Sequence, residues 1–417
     1  MIKKTVLDNG IRVISEKMPH AHSVTIGIWV ARGSRSEDAC QAGVSHFIEH
    51  LLFKGTEKRS ALQIAREIDS LGGVLNAFTG REYVCYYAKV LYRFLPQAVE
   101  LLSDIFIHSV FDPQEIEKER KVILQEIGLL EDTPDDFIHD LFARSFWSGH
   151  PLGMPVIGTD QSVGSLTRKA IVDFRNEMYK AGDIIISVAG RVDHRELLSM
   201  LVGVFDCIPS GRTAEPEKPA TTGKMTEVLE KDLEQVHLCL GTLALQQNDA
   251  RRYEAFILNT TLGGSMSSRL FQEVREKLGL AYSIFSYITS HADTGALAVY
   301  AGTSRDRLDE VIAIIIREMK RLKNEILLQD ELHDAKEQLK GNILLSLESS
   351  DNRMTRLARN EIYFGRPQPV REIVKGIDLV TPRSILELAS ELFDDRYLTL
   401  VLMGKIGNYV APDTICL

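Results

Sequence analysis

Two histidines and a glutamate, His46-x-x-Glu49-His50, lie within one short segment, Gly43-Val44-Ser45-His46-Phe47-Ile48-Glu49-His50-Leu51-Leu52-Phe53-Lys54-Gly55-Thr56. Its apolar spacing predicts a single amphipathic helix, stopped at Lys54-Gly55 because glycine takes the left-handed cap conformation cheaply. Residues four apart share a helix face, so the two imidazoles can grip one metal ion. Glu49 projects from the neighbouring edge of that face, near enough to act on a metal-held water without being a ligand. A catalytic zinc needs a third protein ligand and an open fourth position. The next strongly capped helix offers candidates: Asp112 reads as its N-cap, Pro113 as its first residue and Glu115 as its third. Glu119 and Glu126 then fall two turns apart on a stripe shared with core-facing apolar residues. Carboxylates in such positions are costly unless paired or bound to a cation, and on spacing alone either could be the ligand. The other nine histidines (His20, His22, His108, His139, His150, His194, His237, His291 and His333) show no comparable arrangement and read as structural.

The elements that must position these groups belong to an ordinary globular chain. It has 417 residues, 44% apolar and 26% charged, with a net charge of −9. That length predicts two to four domains, and the composition argues against disordered or fibrous classes. The acidic balance disfavours a nucleic-acid binder, which would carry a basic face. The best apolar runs, Val311 to Ile316 and Ile184 to Val188, cover about a third of the ~20 residues a membrane helix needs, so no membrane insertion is expected. The start moves straight into strand and turn signals, without a secretory core or an Arg/Ser-rich transit segment. Five scattered cysteines (Cys40, Cys85, Cys207, Cys239, Cys416) lack metal-ligand spacing and read as reduced thiols. A bacterial cytoplasm is the favoured compartment, with a mitochondrial matrix as the alternative if a transit peptide has been removed.

The chain also reads as two copies of one plan. The stretch 209–224 holds three prolines, two glycines and several small polar residues, which cannot build a helix or central strand. It separates a metal-carrying domain, 1–208, from a second domain, 225–417. A helix from Thr167 leads to the strand Ile184 to Ala189 and Gly190; a helix from Thr381 leads to Leu398 to Met403 and Gly404, an offset of 214 residues. Val24 to Val30 likewise resembles Val236 to Leu243, each with a central glycine. One large offset predicts a duplicated domain rather than a solenoid. Strands alternating with longer helical stretches predict α+β layering, each domain a mainly antiparallel sheet with helices packed on it.

His46-x-x-Glu49-His50 with Glu126 further on resembles the inverted zinc-binding signature of the pitrilysin/insulinase family of metallopeptidases, in its half-length processing-peptidase branch. The likeness extends to Leu7-Asp8-Asn9-Gly10, Gly27 to Gly33, Phe53-Lys54-Gly55-Thr56 and Asn76-Ala77-Phe78-Thr79, and so to essentially the whole chain. The resemblance implies that His46, His50 and Glu126 bind one Zn²⁺ per chain, that Glu49 is the general base, and that Glu119 orients a ligand or holds local charge, a helix-surface carboxylate being its competing reading. It implies that Arg275 and Tyr282, after the glycine-rich segment from Gly263, stabilise substrate carbonyls, and that Asn76, Ala77 and Phe78 form an edge strand receiving an extended peptide. Asp136 and Asp140 match positions where processing peptidases receive a basic side chain near the cleavage point; a solvated acidic turn is the competing reading.

Applying the repeat offset, His46, Glu49 and His50 fall on Thr260, Gly263 and Gly264, so the second copy cannot hold the metal. In relatives two such two-domain halves close like a clamshell around the substrate. Because this chain carries both the zinc residues and Arg275/Tyr282, a homodimer is expected, with a heterodimer containing a non-catalytic homologue as the alternative. The expected activity is zinc-dependent endopeptidase cleavage of unfolded peptides or presequence-like segments. A non-catalytic structural subunit of a related complex is the second reading.

Overall fold

A computed structural model of the chain describes residues 2–212, 220, 222–407, 409 and 416–417. Strands buried on both faces read as largely apolar runs; the run Ile184 to Val188 becomes such a strand, whereas Val311 to Ile316 lies in the helix Leu308–Asn324. In the first compact unit (Met1–Leu129, Met154–Glu217 and Ser346–Pro367), β1 (Ile2–Val6), β2 (Arg12–Lys17), β3 (Ser23–Val30), β4 (Val74–Thr79), β5 (Val84–Leu91) and β6 (Ile184–Gly190) form one sheet in the order β1-β2-β6-β3-β5-β4. One face carries the main core, built with α1 (Val44–Leu52) and the helices Leu95–His108 and Arg168–Met178. On the opposite face Ile14, Trp29, Cys85, Ile185 and Ala189 pack against Met354, Leu357 and Ala358 of the helix Ser350–Phe364.

The second unit (Leu130–Gly153, Lys218–Leu345 and Gln368–Leu417) is built the same way. Its strands β7 (Met225–Glu230), β8 (Val236–Ala244), β9 (Ala281–Ser290), β10 (Gly295–Thr303) and β11 (Thr399–Gly404) run in the order β7-β11-β8-β10-β9. The helices Arg252–Leu262, Leu308–Asn324 and Pro382–Leu392 cover one face. Ile138, Phe142 and Phe146 of the helix Pro134–Phe146 cover the other.

The expected duplication is visible strand by strand. Pairing in β2-β6-β3-β5-β4 is parallel once and then antiparallel throughout, and β7-β11-β8-β10-β9 repeats it. Both repeat helices open on a capping threonine: Thr167 accepts the Ala170 N–H and Thr381 the Ser384 N–H. The fold is α+β, as read from sequence. The compact units, however, do not follow a cut at 209–224: residues 130–153 join the second sheet and residues 346–367 the first. The physical reason is that each half supplies helices for one face of its sheet, and the other apolar face must still be buried. Within 209–224, residues 213–219 and 221 lie outside the described residues.

The two central glycines mark where those far-face helices dock. A Cβ on Gly27 would meet the Met354 sulfur at 2.5 Å, and one on Gly241 would meet the Phe142 ring at 2.5 Å and the Leu297 carbonyl at 2.8 Å.

α1 is shorter than the sequence predicts, ending at Leu52 with Phe53 as its cap, while Gly55 makes a bridge to Ser60. The buried N–H groups at its start are taken up by an acid that precedes the helix. Gly43 and Ser45 donate to the two Glu37 carboxylate oxygens at 2.7 and 2.8 Å. Glu37 is only 4% exposed, and burial pushes its carboxyl up to about 7 against those hydrogen bonds.

Gly241→Ala should cost about 1–3 kcal/mol in denaturant unfolding, because ring and carbonyl leave no room; Phe142→Leu in the same chain should recover part of it. An unchanged midpoint would show that the approach is not tight. Because the Glu37 carboxyl is raised on folding, the stability it contributes is complete below its unfolded value of 4.5 and lost as pH rises through about 7. Across that window wild type should lose about 3 kcal/mol relative to Glu37→Gln. A difference between the two proteins that does not vary with pH would contradict this.

Candidate metal centre

α1 is apolar on the side that packs into the core, through Val44, Phe47, Ile48, Leu51 and Leu52. That packing turns His46, Glu49 and His50 together onto a half-buried face. The His46 and His50 rings lie 4.7 Å apart between centroids. The second helix is Pro113–Glu131, opened as predicted by Asp112, whose Oδ1 accepts the Gln114 N–H at 2.8 Å and the Glu115 N–H at 3.3 Å. Its buried residues Ile116, Glu119, Ile123 and Ile127 define the packed stripe.

The two helices bring the donors together. Glu126 Oε2 lies 3.5 Å from His50 Nε2 and 4.0 Å from His46 Nε2. A tetrahedral zinc with ligand bonds of ~2.0–2.1 Å needs donor atoms about 3.4 Å apart. Among the described residues His46, His50 and Glu126 are the group whose donor atoms converge in this way, all within 4.8 Å of one another. Of the two carboxylates that spacing left open, Glu126 thus stands beside both imidazoles.

Glu119 does something different. It is 5% exposed, its Oε2 accepts from His50 Nδ1 at 3.1 Å, and its Oε1 accepts from Lys54 Nζ at 2.8 Å. A proton held on Nδ1 leaves the Nε2 lone pair of His50 facing Glu126, and it fixes the ring plane. Lys54 balances the buried carboxylate.

Electrostatics favour a cation here. Burial, with His50 alongside, pushes His46 down to about 4, so this imidazole is neutral and free to ligate at neutral pH. Burial holds Glu49 above the usual carboxylate range, Glu126 adds to the rise, and a hydrogen bond from Thr79 and the nearby His50 oppose it. Two half-buried carboxylates, Glu49 and Glu126, stand beside the neutral His46 ring, and a divalent ion at the donors would supply the positive charge that balances them. The donor set of two imidazoles and a carboxylate is one that zinc takes in catalytic sites.

Thr79 holds the last position of β4, and its hydroxyl donates to Glu49 Oε2; a threonine ending a strand carries no spacing signal that marks it as functional. Lys54 and Glu37 were also missed: Lys54 acts on the distant Glu119, and Glu37 acts six and eight residues ahead, at spacings with no periodic signature. Asn76, Ala77 and Phe78 lie on β4, which pairs with β5 alone and ends the sheet. Asn76 is exposed, and Phe78 packs edge-on to Trp29 at 5.4 Å.

The remaining predicted residues belong to the second unit. Arg275 sits on the π-helix Phe271–Lys277, its guanidinium 4.8 Å from the Phe271 ring and 5.0 Å from the Tyr282 ring. Tyr282, on β9, is 79% exposed. Asp136 and Asp140 share the helix Pro134–Phe146 with His139, whose Nδ1 meets the Tyr287 hydroxyl at 2.8 Å. The helix Arg252–Leu262 stops just before Gly263 and Gly264, and Thr260 bonds its own backbone at Phe256.

The family model described as insulinase (peptidase family M16) matches residues 12–160, and the one described as the peptidase M16 inactive domain matches 165–339. A Bacillus subtilis protein named an uncharacterized zinc protease is 40% identical over 98% of this chain and 99% of its own length. One of the same description from Mycobacterium leprae is 38% identical over 99% and 93%. A protease from Helicobacter pylori has the same fold, with a TM-score of 0.90 at 23% identity over 97% of this chain and 99% of that one. A chain of Complex III2 from Candida albicans also superposes, with a TM-score of 0.85 at 22% identity over 98% and 97%. With zinc proteases matched along nearly their whole length, the chain belongs to the insulinase family, peptidase family M16.

Proposed function

We propose that this chain is a zinc-dependent endopeptidase acting on unfolded peptides or presequence-like segments. The observation that carries the reading is the approach of Glu126 Oε2 to His50 Nε2 and His46 Nε2. Bound there, zinc supplies a water of lowered pKa and polarises the scissile carbonyl. Glu49 takes the proton of the attacking water on its carboxylate and passes it to the amide nitrogen as the C–N bond breaks. Its raised pKa suits a group that must both accept and release that proton. Glu119 keeps His50 in the required tautomer throughout.

In the same reading an extended peptide adds to the free edge of β4 along Asn76, Ala77 and Phe78, through main-chain hydrogen bonds. Arg275 and the exposed Tyr282 stabilise the substrate carbonyl. Asp136 and Asp140 receive a basic side chain near the cleaved bond. The site is completed in a chamber made by two chains, a homodimer, which admits flexible peptides and excludes folded proteins. The bacterial relatives support a bacterial setting, for which we propose the cytoplasm. Among the described residues no helix is long and apolar enough to cross a membrane.

A non-catalytic subunit role is favoured by one observation, the likeness to a Complex III2 chain. The filled set of His46, Glu49, His50 and Glu126 weighs against it.

Zinc content and peptide hydrolysis decide between the two. Wild type should carry about one zinc per chain, and Glu49→Gln should keep the metal while turnover drops by roughly 10²–10⁴-fold. Equal turnover would remove Glu49 from the mechanism, and a wild type that binds zinc without cleaving any peptide of an unbiased library would favour the structural role. In that library, peptides with Arg near the scissile bond should be preferred. The double variant Asp136→Asn, Asp140→Asn should erase the preference and leave cleavage of neutral peptides unchanged; identical profiles would rule out the basic-residue subsite.

A further inference from the structure

We propose that Thr79 is a positioning residue for Glu49, one that ties the orientation of the base to the edge strand β4. The inference rests on the reading of Glu49 as the base. Successive strand residues face opposite sides of a sheet. Leu75 and Ala77 pack on the side that carries α1, whereas Phe78 packs on the other side with Trp29. Thr79, two residues beyond Ala77, returns to the α1 side and reaches Glu49 Oε2 with its hydroxyl. Among the described residues it is the hydrogen-bond partner of that carboxylate. One oxygen is thereby held, and Oε1 is left to take up a proton.

A hydroxyl fixes a carboxylate only if its own backbone is fixed, and here it is tied to α1 by a second route. The turn after β4 is bound to the segment before α1: the Ser34 N–H donates to the Gly80 carbonyl at 3.2 Å and the Arg35 N–H to the Arg81 carbonyl at 2.8 Å. The Arg35 guanidinium meets the Glu82 carboxylate at 2.7 Å. Two residues along, Glu37 accepts the first N–H groups of α1. Thr79 and Glu49 therefore keep their separation because the strand end and the helix start share one anchoring loop. Without such a tie a half-buried carboxylate would choose among rotamers. A misplacement of ~1 Å in such a group costs about 10²-fold in rate.

The test compares full-length, zinc-loaded wild type with Thr79→Val, which keeps the shape and removes the hydroxyl, and Thr79→Ser, which restores it. Thr79→Val should lower kcat by about 10–100-fold with KM changed less than about twofold. Zinc content should match wild type, and Thr79→Ser should recover most of the rate. In crystals of the metal-free proteins, Glu49 should leave its position in Thr79→Val and keep it in Thr79→Ser. Unchanged kcat or an unmoved Glu49 in Thr79→Val overturns the proposal, as does a rate loss that comes with zinc loss or that serine does not recover. Should wild type cleave no peptide, the peptidase reading falls, and the Glu49 displacement in crystals still decides whether Thr79 holds this carboxylate.

Discussion

The chemistry of the first unit depends on one constraint: a carboxylate on one helix must stay within a few ångströms of two imidazoles on another. Zinc tolerates little error in donor spacing, and neither helix can meet that tolerance alone. α1 is held at its start by Glu37 and near its end by the Lys54–Glu119–His50 chain of contacts. The first anchor fixes where the helix begins, and the second fixes its distance from Pro113–Glu131. Both anchors are buried carboxylates, which is costly, and each is compensated differently. Glu119 has a lysine and an imidazole. Glu37 has backbone N–H groups at a helix N-terminus, where the macrodipole also favours negative charge.

Much of this was legible in the sequence because it is local. The His46/His50 spacing, the Asp112-Pro113 start and the Glu119/Glu126 stripe each depend on residues within a few turns of one another, and helical periodicity projects them directly. The choice between Glu119 and Glu126 could not be made that way. Both fall on one stripe, and only the packing angle of the two helices puts one beside both Nε2 atoms and the other behind His50. Thr79, Lys54 and Glu37 were out of reach for the same reason: a threonine ending a strand or an acid six residues before a helix start has no periodic signature. The two far-face helices were equally unseen, although the largely apolar β3 and β6 did carry the hint that both faces would be covered.

Gly27 and Gly241 show how tightly that cover is specified. They occupy matching positions in the two sheets, each where a bulky side chain of the covering helix presses on the strand, Met354 in one unit and Phe142 in the other. Glycine weakens a strand through entropy and lost packing. Its presence at both positions is intelligible only because the helix above supplies the packing that a strand side chain would have given. The central glycine noted in both strands was thus a sign of the docking helix as much as of the repeat.

The two copies separate what the fold needs from what the reaction needs. The second unit keeps the strand order, the glycine at the strand centre and the threonine cap, yet has Thr260, Gly263 and Gly264 at the offset positions of His46, Glu49 and His50. That loss is tolerable because in α1 the three chemical residues occupy the half-buried face, while the core is filled by Val44, Phe47, Ile48, Leu51 and Leu52. In the second copy Ala255, Ile257, Leu258, Thr261 and Leu262 do the same packing, and the helix simply ends where the metal face would continue. A metal face is added to such a helix without altering its core side, so one copy can carry it and the other can do without it. The anchors follow the same division: holding the donors of two helices together, as Glu37 and Glu119 do, is a demand of the ion, and the bare fold makes no such demand.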